Sequence, residues 1–181
     1  MHLETSRLLL RPWEDRDRAA FAAINADAEV RRYYFPSILS RAQSDELIDR
    51  CAEHLDLHGF GFVAVERRED GGLVGGLGLS KPGPEVPGAP EMEVGWILGR
   101  PNWRRGYAFE AASACIAHAW SALQAKEVVA YTSTINTPSR QLMEKLGMTR
   151  SSADDFEDAT VPVGDALRPH VLYRMGNPAL R

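Results

Sequence analysis

Two carboxylates, Glu91 and Glu93, stand two residues apart in the apolar stretch EMEVGWILG (91–99), and an alternating strand would set both on one face. A carboxylate in that position can act as a general base, directly or through a held water, and Glu93 directly precedes the VGW run. The next stretch, RPNWRRGYAFEA (100–111), places Arg100, Arg104 and Arg105 around a tryptophan and then turns abruptly apolar and alanine-rich. Guanidinium charge carried into a helix start suits an anion. The first amides of a helix have no internal partners, and the helix dipole puts about half a positive charge there. Gly106 would admit a phosphate to the backbone, Arg104 and Arg105 would add charge, and Gly106, Tyr107 and Ala108 would offer amides. On these residues alone, a solvated basic loop before a helix reads equally well. The chain holds no G-x-G-x-x-G run and no glycine-lysine-serine/threonine run, so the familiar dinucleotide and nucleoside-triphosphate loops are excluded.

The elements that must carry these residues follow from period and punctuation. LETSRLLLRPW (3–13) reads as a first strand, 15–26 as a short helix, and 41–57 as a second helix capped by Ser40 with Leu47, Ile48, Cys51 and Leu55 inward. GFGFVAVER (59–67) and LVGGLGLS (73–80) form a hairpin across EDGG, the four prolines of 81–90 make a loop, and 91–99 is a further strand. From Gly106 to Leu123 the apolar stripe Phe109, Ala112, Ile116, Trp120, Leu123 predicts a helix packed on a sheet. EVVAYTSTI (127–135) is a β-branched strand. NTPSRQLMEKLGM (136–148) is a helix capped by Asn136 or Thr137 and ended by Gly147, and HVLYRM (170–175) is the last strand. The order predicts a mixed α/β (α+β) domain around one central sheet flanked by helices, with residues 1–181 as a single domain.

Composition narrows the classes. A net charge of −4 argues against a broad nucleic-acid surface, so no nucleic-acid partner is expected and any anion site is local. No apolar run approaches the length of a membrane span, and the N-terminus lacks signal-peptide order; no membrane partner is expected. Cys51 and Cys115 have no metal or disulfide spacing, which suits a reducing, cytoplasmic location. His54 and His58 sit four apart on a helix with no third ligand in view, so no metal site is read.

Four stretches together carry a resemblance. WRRGYA (103–108) before an apolar helix resembles the Q/R-x-x-G-x-G/A loop of the GNAT superfamily of acyl-CoA-dependent N-acetyltransferases, and NTPSRQLMEKLGM resembles its following N-x-x-S motif. LETSRLLLRPW and EVGWIL are similar to the Rim-type branch, named for ribosomal-protein N-terminal acetyltransferases. The likeness runs from Leu3 to about Tyr173. It implies a sheet whose fourth and fifth strands splay apart, acetyl-CoA as co-substrate, and direct transfer to an amine in a ternary complex. Arg104, Arg105, Gly106, Tyr107 and Ala108 would hold the pyrophosphate, Trp103 would give a flat apolar surface near the cofactor, and the backbone around Trp96, Ile97 and Leu98 would line the pantetheine arm. Asn136 and Ser139 would lie near the pantetheine and sulfur, with Ser139 the best remaining proton donor to the thiolate. Tyr33, Tyr34 and Phe35, in RRYYFP (31–36), would build an acceptor wall with Trp96.

Two positions depart from the family pattern. Trp103 replaces a polar residue at the loop, and Met143 stands where many members carry a proton-donating tyrosine. The acidic stretch 152–165 would draw cationic acceptors or simply be solvated. An α-amino acceptor costs about 3 kcal/mol less to neutralise than a lysine side chain, so a site without a strong base leans to a protein N-terminus or a small-molecule amine. The other function that the residues allow is a non-catalytic acyl-CoA-binding sensor or partner module. Monomer and homodimer both remain open.

Overall fold

The computed structural model describes residues 1–180. Nine strands form one mixed sheet: β1 (Leu3–Glu4), β2 (Leu8–Arg11), β3 (Phe62–Arg67), β4 (Leu73–Ser80), β5 (Glu93–Leu98), β6 (Glu127–Ser133), β7 (Thr149–Arg150), β8 (Phe156–Glu157) and β9 (Pro169–Gly176). Their spatial order is β1-β2-β3-β4-β5-β6-β9-β7, with β8 also on β9. All pairs are antiparallel except β5 with β6.

The expected first strand is two strands. At Thr5 the chain turns back, with Thr5 N donating to Leu8 O and Leu8 N donating to Thr5 Oγ1, both at 2.9 Å, so Leu3 pairs with Leu10. A threonine hydroxyl able to satisfy a backbone amide favours such a turn, and the leucine run hides it from periodicity. The carboxylate pair is also corrected. Glu91 lies exposed in the loop before β5, and only Glu93 belongs to the strand. The acidic stretch 152–165 contains β8, paired to β9 through Phe156↔His170.

Helices α1 (Asp17–Ala26), α2 (Ala28–Arg31) and α3 (Arg41–His58) supply one apolar cluster, where Phe21, Val30 and Ile48 meet Ile97 of β5. Helices α4 (Tyr107–Ser121) and α5 (Thr137–Lys145) supply the larger one, where Ala111, Ala112, Cys115, Ile116, Ala119 and Met143 join Leu77, Leu79, Val94 and Leu98. Strand alternation explains the division. Val94 and Leu98 face α4, while Ile97 between them faces α1. Ser40 caps α3 as expected, its hydroxyl accepting from Gln43 N while Gln43 reciprocates at Ser40 N. Among the described residues no helix is long and apolar enough to cross a membrane.

One buried ionic cluster ties α1 to the sheet. Arg11, 4% exposed, donates to Asp17 at 2.7 and 2.9 Å and to Glu66 at 2.9 and 2.6 Å. Three charges removed from water are tolerable only because each finds its partner, so removing the shared cation leaves two buried carboxylates uncompensated. Arg11→Ala is expected to cost about 3–5 kcal/mol of stability. Urea unfolding followed by circular dichroism measures it; a loss under 1 kcal/mol would show that Arg16, which also reaches Glu66 at 2.9 Å, suffices.

Candidate active site

The basic joint is a real helix start, braced from below. Gly106 is the N-cap of α4 with φ 81°, and Arg104 two residues earlier also has a positive φ, 57°. A left-handed residue at the cap turns successive amides the same way, which makes an anion-accepting concavity. Arg104, Arg105 and Gly106 are exposed. Sequence reasoning missed the brace. Arg7 Nη1 donates to Arg105 O at 3.0 Å, and its guanidinium lies 4.7 Å from the Tyr107 ring centroid. Arg7 is itself fixed by Glu110, in the first turn of α4, through Nε to Oε2 at 2.7 Å. Glu110 Oε1 accepts from Thr5 Oγ1, Ser6 Oγ and Arg7 N at 2.6, 3.1 and 2.9 Å. Burial works to raise this carboxyl, but the converging donors prevail and bring it down to about 2.

Strand β5 has one open edge. β6 pairs with it only at Glu93↔Val129, with Val129 N donating to Met92 O at 2.9 Å; beyond that point the two strands part. On the other side the pairing with β4 continues through Gly76↔Ile97 and Gly75↔Leu98, and Gly99 N donates to Val74 O at 3.0 Å. Backbone groups alternate in direction, so Glu93, Gly95, Ile97 and Gly99 face β4, while Met92, Val94, Trp96 and Leu98 face the gap. The expected edge is therefore corrected at one residue. Ile97 gives its backbone to β4 and its side chain to the α1 cluster, which leaves Trp96 and Leu98.

Side chains already satisfy both carbonyls on that edge. Tyr34 Oη donates to Trp96 O at 2.9 Å, and Trp103 Nε1 donates to Leu98 O at 2.7 Å. The exposed Trp103 thus serves the strand edge, and the gap is lined by the Trp96 and Leu98 N–H groups. Burial pushes the Tyr34 hydroxyl up to about 12, so it remains a donor. The residues expected to form the acceptor wall are placed differently from one another. The Trp96 ring packs on the α4 side, Phe35 is 48% exposed, and Tyr33 sits under Arg32 at 4.6 Å; among the three adjacent aromatics, Tyr34 is the one that touches the strand.

Glu93 stands on the α1–α3 side where the strands part. Ser80 Oγ donates to Glu93 Oε2 at 3.3 Å, and the Tyr131 hydroxyl lies close enough to draw the carboxyl down. Burial outweighs both, with the charge of Glu85 adding to it, and the Glu93 pKa is pushed up to about 7. The Tyr131 hydroxyl is raised as well, by burial first and then by Glu93. Around it lie Phe156 at 5.6 Å from Tyr131, and His170 at 5.5 Å from Phe156. A recessed carboxyl poised near neutrality is suited to take a proton.

The far side of the gap is the start of α5. Asn136 caps that helix, its Oδ1 accepting from Ser139 N at 3.3 Å and its Nδ2 donating to Thr132 Oγ1 at 2.8 Å. Both ends of the carboxamide serve the β6–α5 junction, so Asn136 holds the wall in place. Ser139 is half-buried in the first turn, while Met143 is 1% exposed in the core. Among the described residues no group of three or more His, Cys, Asp or Glu is placed to hold a metal ion.

Comparisons with known proteins give the family of the chain. The family described as the acetyltransferase (GNAT) domain matches residues 7–149. The uncharacterized N-acetyltransferase YoaA of Bacillus subtilis is 31% identical over 150 residues, 82% of this chain and 82% of its own. YnaD, an uncharacterized N-acetyltransferase of the same organism, is 27% identical over 174 residues, 96% of this chain and 95% of its own. Among solved structures, a GNAT-family acetyltransferase from Bacillus anthracis superposes with a TM-score of 0.82 at 24% identity, covering 98% of this chain and 99% of that one. A joint of free amides under guanidinium charge, a parted strand edge and a near-neutral carboxyl thus fall within a matched family, and the chain belongs to the GNAT acetyltransferases, enzymes that move an acetyl group from acetyl-CoA to an amine.

Proposed function

We propose that this chain acetylates a weakly basic primary amine, a protein N-terminus or a small-molecule amine, by direct attack within a ternary complex. The observation that carries the reading is the position of Glu93, on the strand that parts from β6 and three residues before Trp96, whose N–H faces the gap. Acetyl-CoA, when bound, supplies a thioester carbonyl open to attack. The amides of Gly106, Tyr107 and Ala108, with Arg104 and Arg105, would hold its pyrophosphate, and the Leu98 and Trp96 amides its pantetheine arm and developing oxyanion. Glu93, directly or through a water, would take the amine proton. A base near pKa 7 sits about one unit below an α-amino group and about three and a half below a lysine, so the first is cheaper to neutralise by about 3 kcal/mol. Ser139 is the hydroxyl nearest the motif position for thiolate departure; a thiol of ordinary pKa about 8.5 needs little help. The Rim-type motifs support that branch, and the two free cysteines, Cys51 and Cys115, suit a reducing cytoplasm.

Arg105→Glu tests the joint. Its side chain is exposed, so stability should stay within about 0.5 kcal/mol while the Kd for coenzyme A rises tenfold or more by calorimetry. An unchanged Kd would leave the joint as ordinary surface.

Glu93→Gln tests the base. Wild-type kcat/KM for the amine should rise with pH through about 7 as the carboxyl ionises; the amide variant should lose that limb and fall by about 10²-fold or more. Stability gives a second sign. A carboxyl raised from 4.5 to about 7 on folding costs stability as pH climbs through that window, so Glu93→Gln should melt higher than wild type at pH 8 and not at pH 4. A pH profile identical to wild type would remove Glu93 from the chemistry.

A further inference from the structure

The ladder between β5 and β6 stops although both strands run on. Val129 N donates to Met92 O at 2.9 Å, and Thr134 N donates to Pro169 O at 2.8 Å. Odd-numbered peptide groups of β6 therefore point to β5 and even-numbered ones to β9. A parallel ladder advances two residues per rung along each strand. After Met92 O with Val129 N, the next rungs would be Val94 O with Tyr131 N and Trp96 O with Ser133 N. The register ends at Glu93↔Val129, short of both.

The Trp96 carbonyl has a different donor. Tyr34 Oη bonds it at 2.9 Å, from a loop that follows α2 and belongs to neither strand. That phenol is firmly seated. Its ring packs with Phe21, Val30, Ile48 and Ile97, and the Arg31 guanidinium lies 4.6 Å from its centroid. Arg31 is 6% exposed and closes the loop on itself, donating from Nη2 to Pro36 O at 2.8 Å and from Nε to Ser37 O at 3.1 Å. A cation removed from water gains most over an aromatic face, so Arg31 and Tyr34 hold each other in place. The charge of Glu93 also reaches the Tyr34 hydroxyl, which sets that hydroxyl in the recess of the proposed base.

We propose that Tyr34 is the positioning residue that keeps the cofactor gap open: its hydroxyl takes the Trp96 carbonyl that the Ser133 N–H of β6 would take if the ladder continued. A buried carbonyl needs a donor, and the one it has decides which strand it can join. While Tyr34 supplies the proton, β5 has no acceptor at Trp96 with which to draw β6 inward. The loop over the proposed base thereby sets the width of the gap without touching the cofactor. This inference rests on the reading of the β5–β6 gap as the place of the pantetheine arm.

The test is Tyr34→Phe, which keeps the ring and its packing and removes only the hydroxyl. The Kd for coenzyme A, measured by calorimetry well below the melting temperature, is expected to rise about fivefold or more, because the cofactor must then compete with a closing ladder. Crystals of the ligand-free variant should bring Ser133 N to about 3 Å from Trp96 O. A smaller rise in Kd, with or without a lowered Tm, would make Tyr34 a donor to the core and no more, and would overturn the proposal. Strands as far apart in the variant crystal as in the wild-type one would overturn it as well. Wild type that bound no coenzyme A would instead overturn the reading of the gap as the cofactor's place; the crystal comparison would still decide whether Tyr34 holds the strands apart.

Discussion

The structure depends on a single interruption in a hydrogen-bond ladder. β5 and β6 meet at Glu93↔Val129 and then diverge, and a parted parallel pair inside a sheet strands peptide groups away from water. Two of those groups, the Trp96 and Leu98 carbonyls, are satisfied by Tyr34 and Trp103. The N–H groups are what remains, so the edge presents donors and few acceptors. A ligand arm that offers carbonyl acceptors, amide carbonyls included, matches that edge.

The joint after β5 follows the same logic at higher charge. Arg105 and Gly106 expose helix amides, and an exposed loop with a left-handed cap would be free to move without support. Glu110 provides the support at one remove. It gathers Thr5, Ser6 and Arg7, and Arg7 in turn fastens the Arg105 carbonyl. The tight Thr5–Leu8 turn that splits the first strand therefore helps hold the joint, since it delivers Arg7 to the Arg105 carbonyl. Net charge tells nothing of this, because the cations that matter are few and locally placed.

Glu93 shows how burial and reach combine. It is recessed enough for desolvation to carry its pKa to about 7. Ser80 and Tyr131 oppose the rise and orient the carboxyl. These partners come from β4 and β6, the strands on either side, so the carboxyl is held by the sheet itself. Met143 is 1% exposed and serves the core between α4, α5 and the sheet.

Punctuation along the chain was enough to locate the joint, the caps at Ser40 and Asn136, the helices at 41–58 and 107–121 and the mixed sheet, because caps, glycines and apolar period are local signals. Alternation also put Glu93 on a strand ahead of the cleft. It could not tell that Glu91 falls outside the strand, that Ile97 turns its backbone to β4, or that the Trp96 ring faces α4, since these depend on where pairing begins and which helices cover each face. Nor could it join Arg7 to Arg105, Tyr34 to Trp96, or Ser80 and Tyr131 to Glu93. Those partners are between 13 and 98 residues apart, and only the packing of nine strands into one sheet brings them within a hydrogen bond's reach.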